Sequence, residues 1–562
     1  MSKKIQLAKN QLNNCITNAL NLAMEKELLA KAEIPNFTLE IPADRSHGDW
    51  ATNVAMVGAR TFRNAPNKIA QIIIDNIDLA DTYFDRCEIA GPGFINFFLG
   101  NMLTADIVAD VLELKENYGK SDFGAGKKVL VEFVSANPTG PMHIGNARGG
   151  AIGDCLASVM ATAGFETARE FYVNDAGNQI GKFGLSLEVR YLQLYKENIE
   201  IPEDAYHGED IVNHAKNFAE IYGDKYTEVS QEERQKALVD YALPLNIKGL
   251  ETDLQKYRIT YDRWFKESAL HQSGAVDTVI ALMKEKGHTY EKEGALWFDG
   301  VKFGLDKDFV LVRANGVPTY IVPDIAYHYD KLVSRAYNEA IDVLGADHHG
   351  YSLRMRAVLT ALNIDPDRLH VVLMQMVRLV REGETIKLSK RSGKAITLTT
   401  LLDEVPIDSA RFFFNLREPN SHCDFDLGLA VSQDAQNPVY YVQYAHARIC
   451  SILRAVKEDG IEPRECTREE LALLTSPEEK DLIRHISMYT DEIINSAKEY
   501  DPSNITKYVH GLATLFHKFY NACRVKGEEE SLMQARLSLC IATATVIKNV
   551  LTMFKISVPE TM

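Results

Sequence analysis

The sequence predicts an α/β protein: a doubly wound parallel sheet interrupted by an insertion, with a small α/β module before it and a helical bundle after it. Three observations predict this. From Val129 to about Phe425, short apolar runs (VLVEFV, ETAREFYV, DFVLVRA, TYIVPD, AIDVLGAD, HVVLMQMV) alternate with helical patterns, as expected of strands covered on both faces. After Asn437 only helical periodicity remains, in runs such as VYYVQYAHARICSILRAV and SLMQARLSLCIATATVIKNVL, which predicts a bundle. Before about residue 115, a long helical pattern, the extended NFTLEI, helices around Ala51–Arg63 and Asn67–Ile77, and the strand-like GFINFFL read as a small α/β module.

With 562 residues, 46% of them apolar, the chain can fill several cores. The units expected are 1–115, then 121–435 with a polar, mostly helical insertion at about 200–300, then 437–562. The Gly- and Lys-rich SDFGAGKK, residues 121–128, is the expected linker. Eight cysteines without a CxxC pair suggest neither a zinc ribbon nor a disulfide framework, and reduced thiols point to a cytoplasmic protein. The start, MSKKIQLAKNQLNN, has no apolar core segment, and no 18 apolar residues run uninterrupted, so neither secretion nor a membrane partner is expected. A net charge of −16 argues against a nucleic-acid partner. The excess acid lies mostly before Tyr440, however, since 15 basic and 17 acidic residues follow from there, and RNA binding needs only a local basic track.

The strongest chemical signal is VEFVSANPTGPMHIGN, Val131–Asn146: a strand, a turn with Pro138, Gly140 and Pro141, and the start of an Ala/Gly-rich helix. Such a helix start aims free N–H groups and a positive dipole end at a phosphate. There His143 and Asn146 can donate to phosphate oxygens, and Gly145 leaves room for a nucleoside. After the apolar IDVL, the run Gly345-Ala346-Asp347-His348 falls where a sheet edge would meet that nucleoside. Asp347 can accept from ribose hydroxyls and Gly345 allows close packing, with His348 alongside. A metal reading of the same run lacks a third ligand at recognisable spacing, so no protein metal site is expected.

The run ANPTGPMHIGN resembles the HIGH signature of class I aminoacyl-tRNA synthetases, in the wording of the arginine enzymes. Lys387-Leu388-Ser389-Lys390, 244 residues after His143, is similar to the family's KMSKS loop. YVNDAGNQI (Tyr172–Ile180) and NPVYYVQYAHAR (Asn437–Arg448) are further similar segments, and the resemblance covers nearly the whole chain. Asn146 replaces the last His of HIGH and Leu388 the Met of the loop, but neither change removes a required group. A lone K-x-x-K would read as a solvated basic hairpin; paired with the upstream motif, Lys387 and Lys390 are expected to close on leaving pyrophosphate.

The resemblance implies a class I synthetase-type Rossmann domain that uses ATP and Mg²⁺ to join L-arginine to tRNA(Arg). It also implies an N-terminal module touching the outer corner of the tRNA, an anticodon-binding bundle, and a monomer. It places Glu132, Asn137, Tyr320 and Asp324 around the arginine, Asp324 forming the main ion pair. On physical grounds alone an internal Arg or Lys would satisfy Glu132, which interrupts an apolar strand, and Tyr320 would be sheet packing. Asn174, Asp175 and Gln179 are expected at the pocket floor, where turn chemistry also explains them. Tyr440 and Tyr444 share a helix face with Arg448 near, as core or as a stacking surface for RNA bases. The rivals are a cysteine or glutamate synthetase, a non-catalytic tRNA-binding relative, and a small-molecule adenylyltransferase.

Overall fold

The computed structural model describes residues 3–562 except 43, 45, 46, 204 and 387–395. The helix Lys3–Glu25 buries Leu12, Ile16 and Leu20, one face at a spacing of four. Beside it lies a sheet of β1 (Leu39–Glu40), β2 (Trp50–Thr52), β3 (Phe84–Ala90) and β4 (Phe94–Leu99), in the order β1-β2-β4-β3. The helix expected over Ala51–Arg63 shrinks to Val54–Val57. Ala51 and Thr52 are strand instead, because buried Trp50 and Thr52 pair with Phe97 and Ile95 of β4.

The central sheet contains β5 (Lys128–Phe133), β6 (Glu166–Val173) and β7 (Arg263–Lys266). A separate antiparallel sheet of β8 (Thr289–Lys292), β9 (Ala295–Phe298) and β10 (Phe309–Val312) follows. The chain then returns to the central sheet with β11 (Glu339–Gly345) and β12 (Leu369–Met374). The order β12-β11-β5-β6-β7, all parallel, reverses direction between β5 and β11. Their carboxyl ends therefore flank the crevice where such sheets bind ligands.

Three sequence expectations change here. The stretch about 200–300 is not one helical insertion: after helices Glu209–Tyr222 and Gln231–Lys256, RWFK joins the central sheet as β7. Stacking of Trp264 on Phe171 and of Phe265 on Tyr172, with ring centroids 4.3 and 6.0 Å apart, ties that short strand to β6. DFVLVRA supplies β10, outside the parallel sheet. TYIVPD is not a strand but opens the helix Ile321–Tyr329, with Pro323 in its first turn, where no N–H is needed. Ile321, Val322, Ile325 and Ala326 bury one face of that helix, and this packing overrides the β preference of Ile and Val.

The helix Ile144–Thr162 is buried along almost its whole length. A Cβ on Gly153 would lie 2.2 Å from Cγ of Phe133, so only glycine lets the helix rest on β5. Its fully buried Asp154 meets Arg169 Nε at 2.8 Å, Arg411 Nη2 at 2.5 Å and Lys555 Nζ at 2.8 Å. These cations outweigh burial and hold the carboxyl below its usual range. Through Lys555 the chain's last segment is thereby bonded to this helix.

From Pro438 onward the chain is helical. Asn437 caps the helix Pro438–Glu458 through its side chain, with proline in the first turn. Glu530–Met553 is long and apolar enough to cross a membrane, but 61% of its most apolar window is buried inside the molecule, which makes it a core helix of the bundle. Tyr440 and Tyr444 stack 6.3 Å apart, and Arg448 donates to the Tyr444 hydroxyl at 2.9 Å.

Candidate active site

At the crevice β5 leads through residues 134–142 into the helix capped by His143. His143 Nδ1 accepts from the Gly145 N–H at 3.1 Å, and Asn146 Oδ1 accepts from the His143 N–H at 3.0 Å. This reciprocal cap fixes chemistry as well as conformation. An Nδ1 that accepts leaves the proton on Nε2, and an Oδ1 that accepts leaves the Asn146 amide N–H₂ to donate, so both residues offer donors to an anion at the helix start. Desolvation lowers the His143 pKa and favours this neutral form. Gly145 has a use the sequence did not show: a Cβ there would lie 3.0 Å from His143 Cε1, so the missing side chain admits the capping ring. Gly140, in the preceding turn, has the Asp210 carboxylate as nearest neighbour, 3.7 Å from a Cβ position.

Across the crevice, β11 ends at Gly345 and Ala346–His348 forms a single 3₁₀ turn. The Asp347 carboxylate, 84% exposed, folds back to 2.6 Å from a Cβ position on Gly345, and His348 Nε2 stands 3.9 Å from it. Among the described residues no group of three His, Cys, Asp or Glu side chains could hold a metal ion. Lys387 and Lys390 lie outside the described residues. The chain after them returns to the site: Ile144 N donates to Ile396 O at 3.2 Å and Leu398 N to Met142 O at 2.9 Å, around a bridge between His143 and Thr397.

An acidic cluster fills the β5 side. Glu132, 8% exposed, lies in register with Asp342 of the neighbouring strand β11. Two carboxylates at adjacent buried positions need a shared cation. It is Lys331, in the π-helical turn Asp330–Ser334, whose Nζ donates to Glu132 Oε2 at 2.5 Å and Asp342 Oδ1 at 2.8 Å. Burial alone would lower the Lys331 pKa, but the two carboxylates overcome it and raise it. His328 spans the Asp324 carbonyl through Nδ1 and Asp342 Oδ2 through Nε2, each at 2.8 Å, and with Lys331 it holds Asp342 ionised despite burial. Glu132 thus has the internal cation that physical reasoning demanded.

Asp324 is different. Its carboxylate makes no hydrogen bond or ion pair among the described residues, and burial, reinforced by Glu132 and Glu267, pushes its pKa up to about 7. Beside it the buried Tyr172 hydroxyl faces the Glu267 carboxylate. Glu267 faces both, its pKa raised chiefly by burial, and the Asn174 amide, turned to donate, reaches Glu267 Oε2 at 3.1 Å. An unpaired acid with a second carboxylate and a hydroxyl beside it can receive a multivalent cationic donor such as guanidinium.

Tyr320 is not sheet packing. It stands 68% exposed at the start of the Asp324 helix, four residues before Asp324 on the same face, within 3.4 Å of Arg354 Nη1. Asn137 lines an adjoining cleft of about 400 Å³ with Thr139, Asn178, Gln179, Lys182 and Tyr206. Gln179 accepts from the Tyr206 hydroxyl, while Asp175 accepts from Ser268 N and Oγ, both at 2.8 Å, so it fastens the helix Glu267–Gln272. Sequence reasoning missed Lys331, Asp342, Glu267 and Tyr172. Asp342 carried the same signal as Glu132, a carboxylate inside an apolar strand, and Tyr172 opened the similar segment YVNDAGNQI; Lys331 and Glu267 carried none.

The parallel sheet, its switch point and the capped helix at the crevice are those of a class I aminoacyl-tRNA synthetase, and residues 107–426 match the family model "tRNA synthetases class I (R), catalytic domain". Residues 10–99 match "Arginyl tRNA synthetase N terminal domain" and 442–562 match "DALR anticodon binding domain". The chain belongs to the arginyl-tRNA synthetase family. It is 51% identical to the arginine–tRNA ligase of Acetivibrio thermocellus over 564 residues, covering 100% of both chains. It is 52% identical to that of Ruminiclostridium cellulolyticum, covering 99% of each. The Thermus thermophilus arginyl-tRNA synthetase structure shares the fold, with a TM-score of 0.73, 22% identity, and coverage of 98% of this chain and 99% of that one.

Proposed function

We propose that this chain works as an ATP-dependent arginine–tRNA ligase whose site is the crevice between β5 and β11. The observation that carries the substrate choice is the unpaired Asp324 carboxylate with Tyr172 and Glu267 beside it, an acidic receptor one strand end from the His143-capped helix. A glutamate substrate would be repelled there, and a cysteine substrate would leave the acid unpaired.

In the reaction the arginine carboxylate attacks the α-phosphorus of ATP in line, pyrophosphate leaves, and arginyl-adenylate forms. A ribose hydroxyl at the 3′ end of tRNA(Arg) then attacks the adenylate carbonyl and releases AMP. No protein nucleophile is required; positioning and charge neutralisation carry the step. His143 Nε2 and the Asn146 amide donate to phosphate oxygens, with Gly140 in the preceding turn and Gly145 in the first turn of the helix. Gly345, Asp347 and His348 hold the nucleoside, and Lys387 and Lys390 take the pyrophosphate charge. Asp324 pairs with the guanidinium, Tyr320 and Asn137 line the rest of the amino acid, and Glu132 acts from the pocket wall through Lys331. Mg²⁺ carried by the ATP phosphates would add charge neutralisation there, in keeping with its preference for few protein ligands. The working units are 1–115, 121–435 and 437–562, in a cytoplasmic monomer with no membrane partner.

Charging total tRNA with each of twenty radiolabelled amino acids, with ATP and Mg²⁺, tests the reading. Arginine alone should be incorporated. Another amino acid would overturn the pocket assignment, and no incorporation at any enzyme concentration would overturn the activity.

A further inference from the structure

We infer that Ser135 is a positioning residue: its hydroxyl braces a strained turn at the end of β5 and thereby sets the arginine side of the site. The inference rests on the pocket reading above. Ser135 N donates to Phe133 O at 3.0 Å, closing a γ-turn centred on Val134. Val134 has φ +70° and Ser135 φ +39°. A γ-turn of this hand is the rare, strained one, and a β-branched residue at its centre is a conformational outlier. Such backbone persists only where its surroundings hold it.

The holding contacts converge on one hydroxyl. Ser135 Oγ donates to Glu132 Oε1 at 2.8 Å and accepts from Tyr172 N at 3.1 Å, cross-linking the ends of β5 and β6. The other Glu132 oxygen is bound by Lys331. Phe133 O, the turn's acceptor, also receives the Tyr261 hydroxyl at 3.0 Å, and Val134 Cγ2 lies 3.5 Å from a Cβ position on Gly150. The turn directs the chain toward Asn137, two residues on, and its brace fixes Glu132 and the backbone of Tyr172, both on the arginine side. His143 is secured separately, by its own cap and by Ile396 and Leu398. Loss of the hydroxyl should therefore disturb arginine binding and spare ATP.

The test is steady-state aminoacylation by Ser135→Ala, with Asp324→Asn as control. Ser135→Ala should raise KM for arginine about tenfold while KM for ATP changes less than about twofold. Adding Val134→Gly, which accepts positive φ without strain, should recover part of the arginine KM. Should Ser135→Ala not fold, Ser135→Gly removes the hydroxyl at a residue that tolerates the backbone, and the same split is expected. A parental arginine KM in Ser135→Ala with a raised one in Asp324→Asn would overturn the positioning role alone. Parental values in both would overturn the pocket reading itself. Equal losses toward both substrates, unrecovered by Val134→Gly, would mark Ser135 as merely structural and also refute the inference.

Discussion

Asp324 should make arginine binding titrate near neutrality. Its carboxyl sits at about 7 because burial and the neighbouring acids Glu132 and Glu267 disfavour its charge, and only the ionised form pairs with guanidinium. The apparent KM for arginine then scales as one plus the ratio of proton concentration to the acid constant. That factor is about 11 at pH 6 and about 1.1 at pH 8, so KM should fall about tenfold across the interval. The guanidinium of arginine does not titrate there, and KM for ATP, read in the same assays, controls for general effects. Asp324→Asn should weaken arginine binding and flatten the profile.

The same shift has a stability counterpart. The folded chain holds a proton on Asp324 that the unfolded chain has released, so stability falls as pH rises from about 4 to about 7 and then levels. Three pH units correspond to on the order of 4 kcal/mol, so Asp324→Asn should unfold later than the parent at pH 8 and alike at pH 4. An arginine KM independent of pH from 6 to 8, or an unchanged pH profile in Asp324→Asn, would mean that Asp324 is not the acid that pairs with guanidinium.

Other perturbations separate the remaining parts. Lys331→Met leaves Glu132 and Asp342 facing each other unneutralised and should cost about 3–5 kcal/mol in urea unfolding at pH 8, less at pH 5, where the carboxyls can protonate. His143→Ala removes both a helix cap and a phosphate donor; stability should drop by about 1 kcal/mol. Its kcat for activation, followed by pyrophosphate exchange with tRNA present, should fall about a hundredfold. Lys390→Ala should lower kcat for activation with a smaller change in arginine KM.

The parallel sheet was readable because its strands are apolar runs and the signature segment is local: strand, turn and helix start are contiguous in VEFVSANPTGPMHIGN. What was not readable depends on partners far along the chain. TYIVPD has the composition of a strand and becomes a helix because Val322 and Ile325 find a core, which exposes Tyr320 and aims Asp324. RWFK becomes a strand only by stacking on β6. Glu132 announced that it needed a cation, but the choice of Lys331 follows from the register of β5 and β11, 199 residues away in sequence from Glu132. The strain at Val134 and Ser135 is likewise a property of backbone closure between β5 and β6, which no composition or spacing reports.

The most direct measurement is arginine binding against citrulline, its neutral isostere, by parent and Asp324→Asn under identical conditions. If the acidic receptor selects the substrate, the parent binds arginine and rejects citrulline, and Asp324→Asn loses most of that preference. A parent that binds both alike, or an Asp324→Asn variant that discriminates as the parent does, would contradict the account.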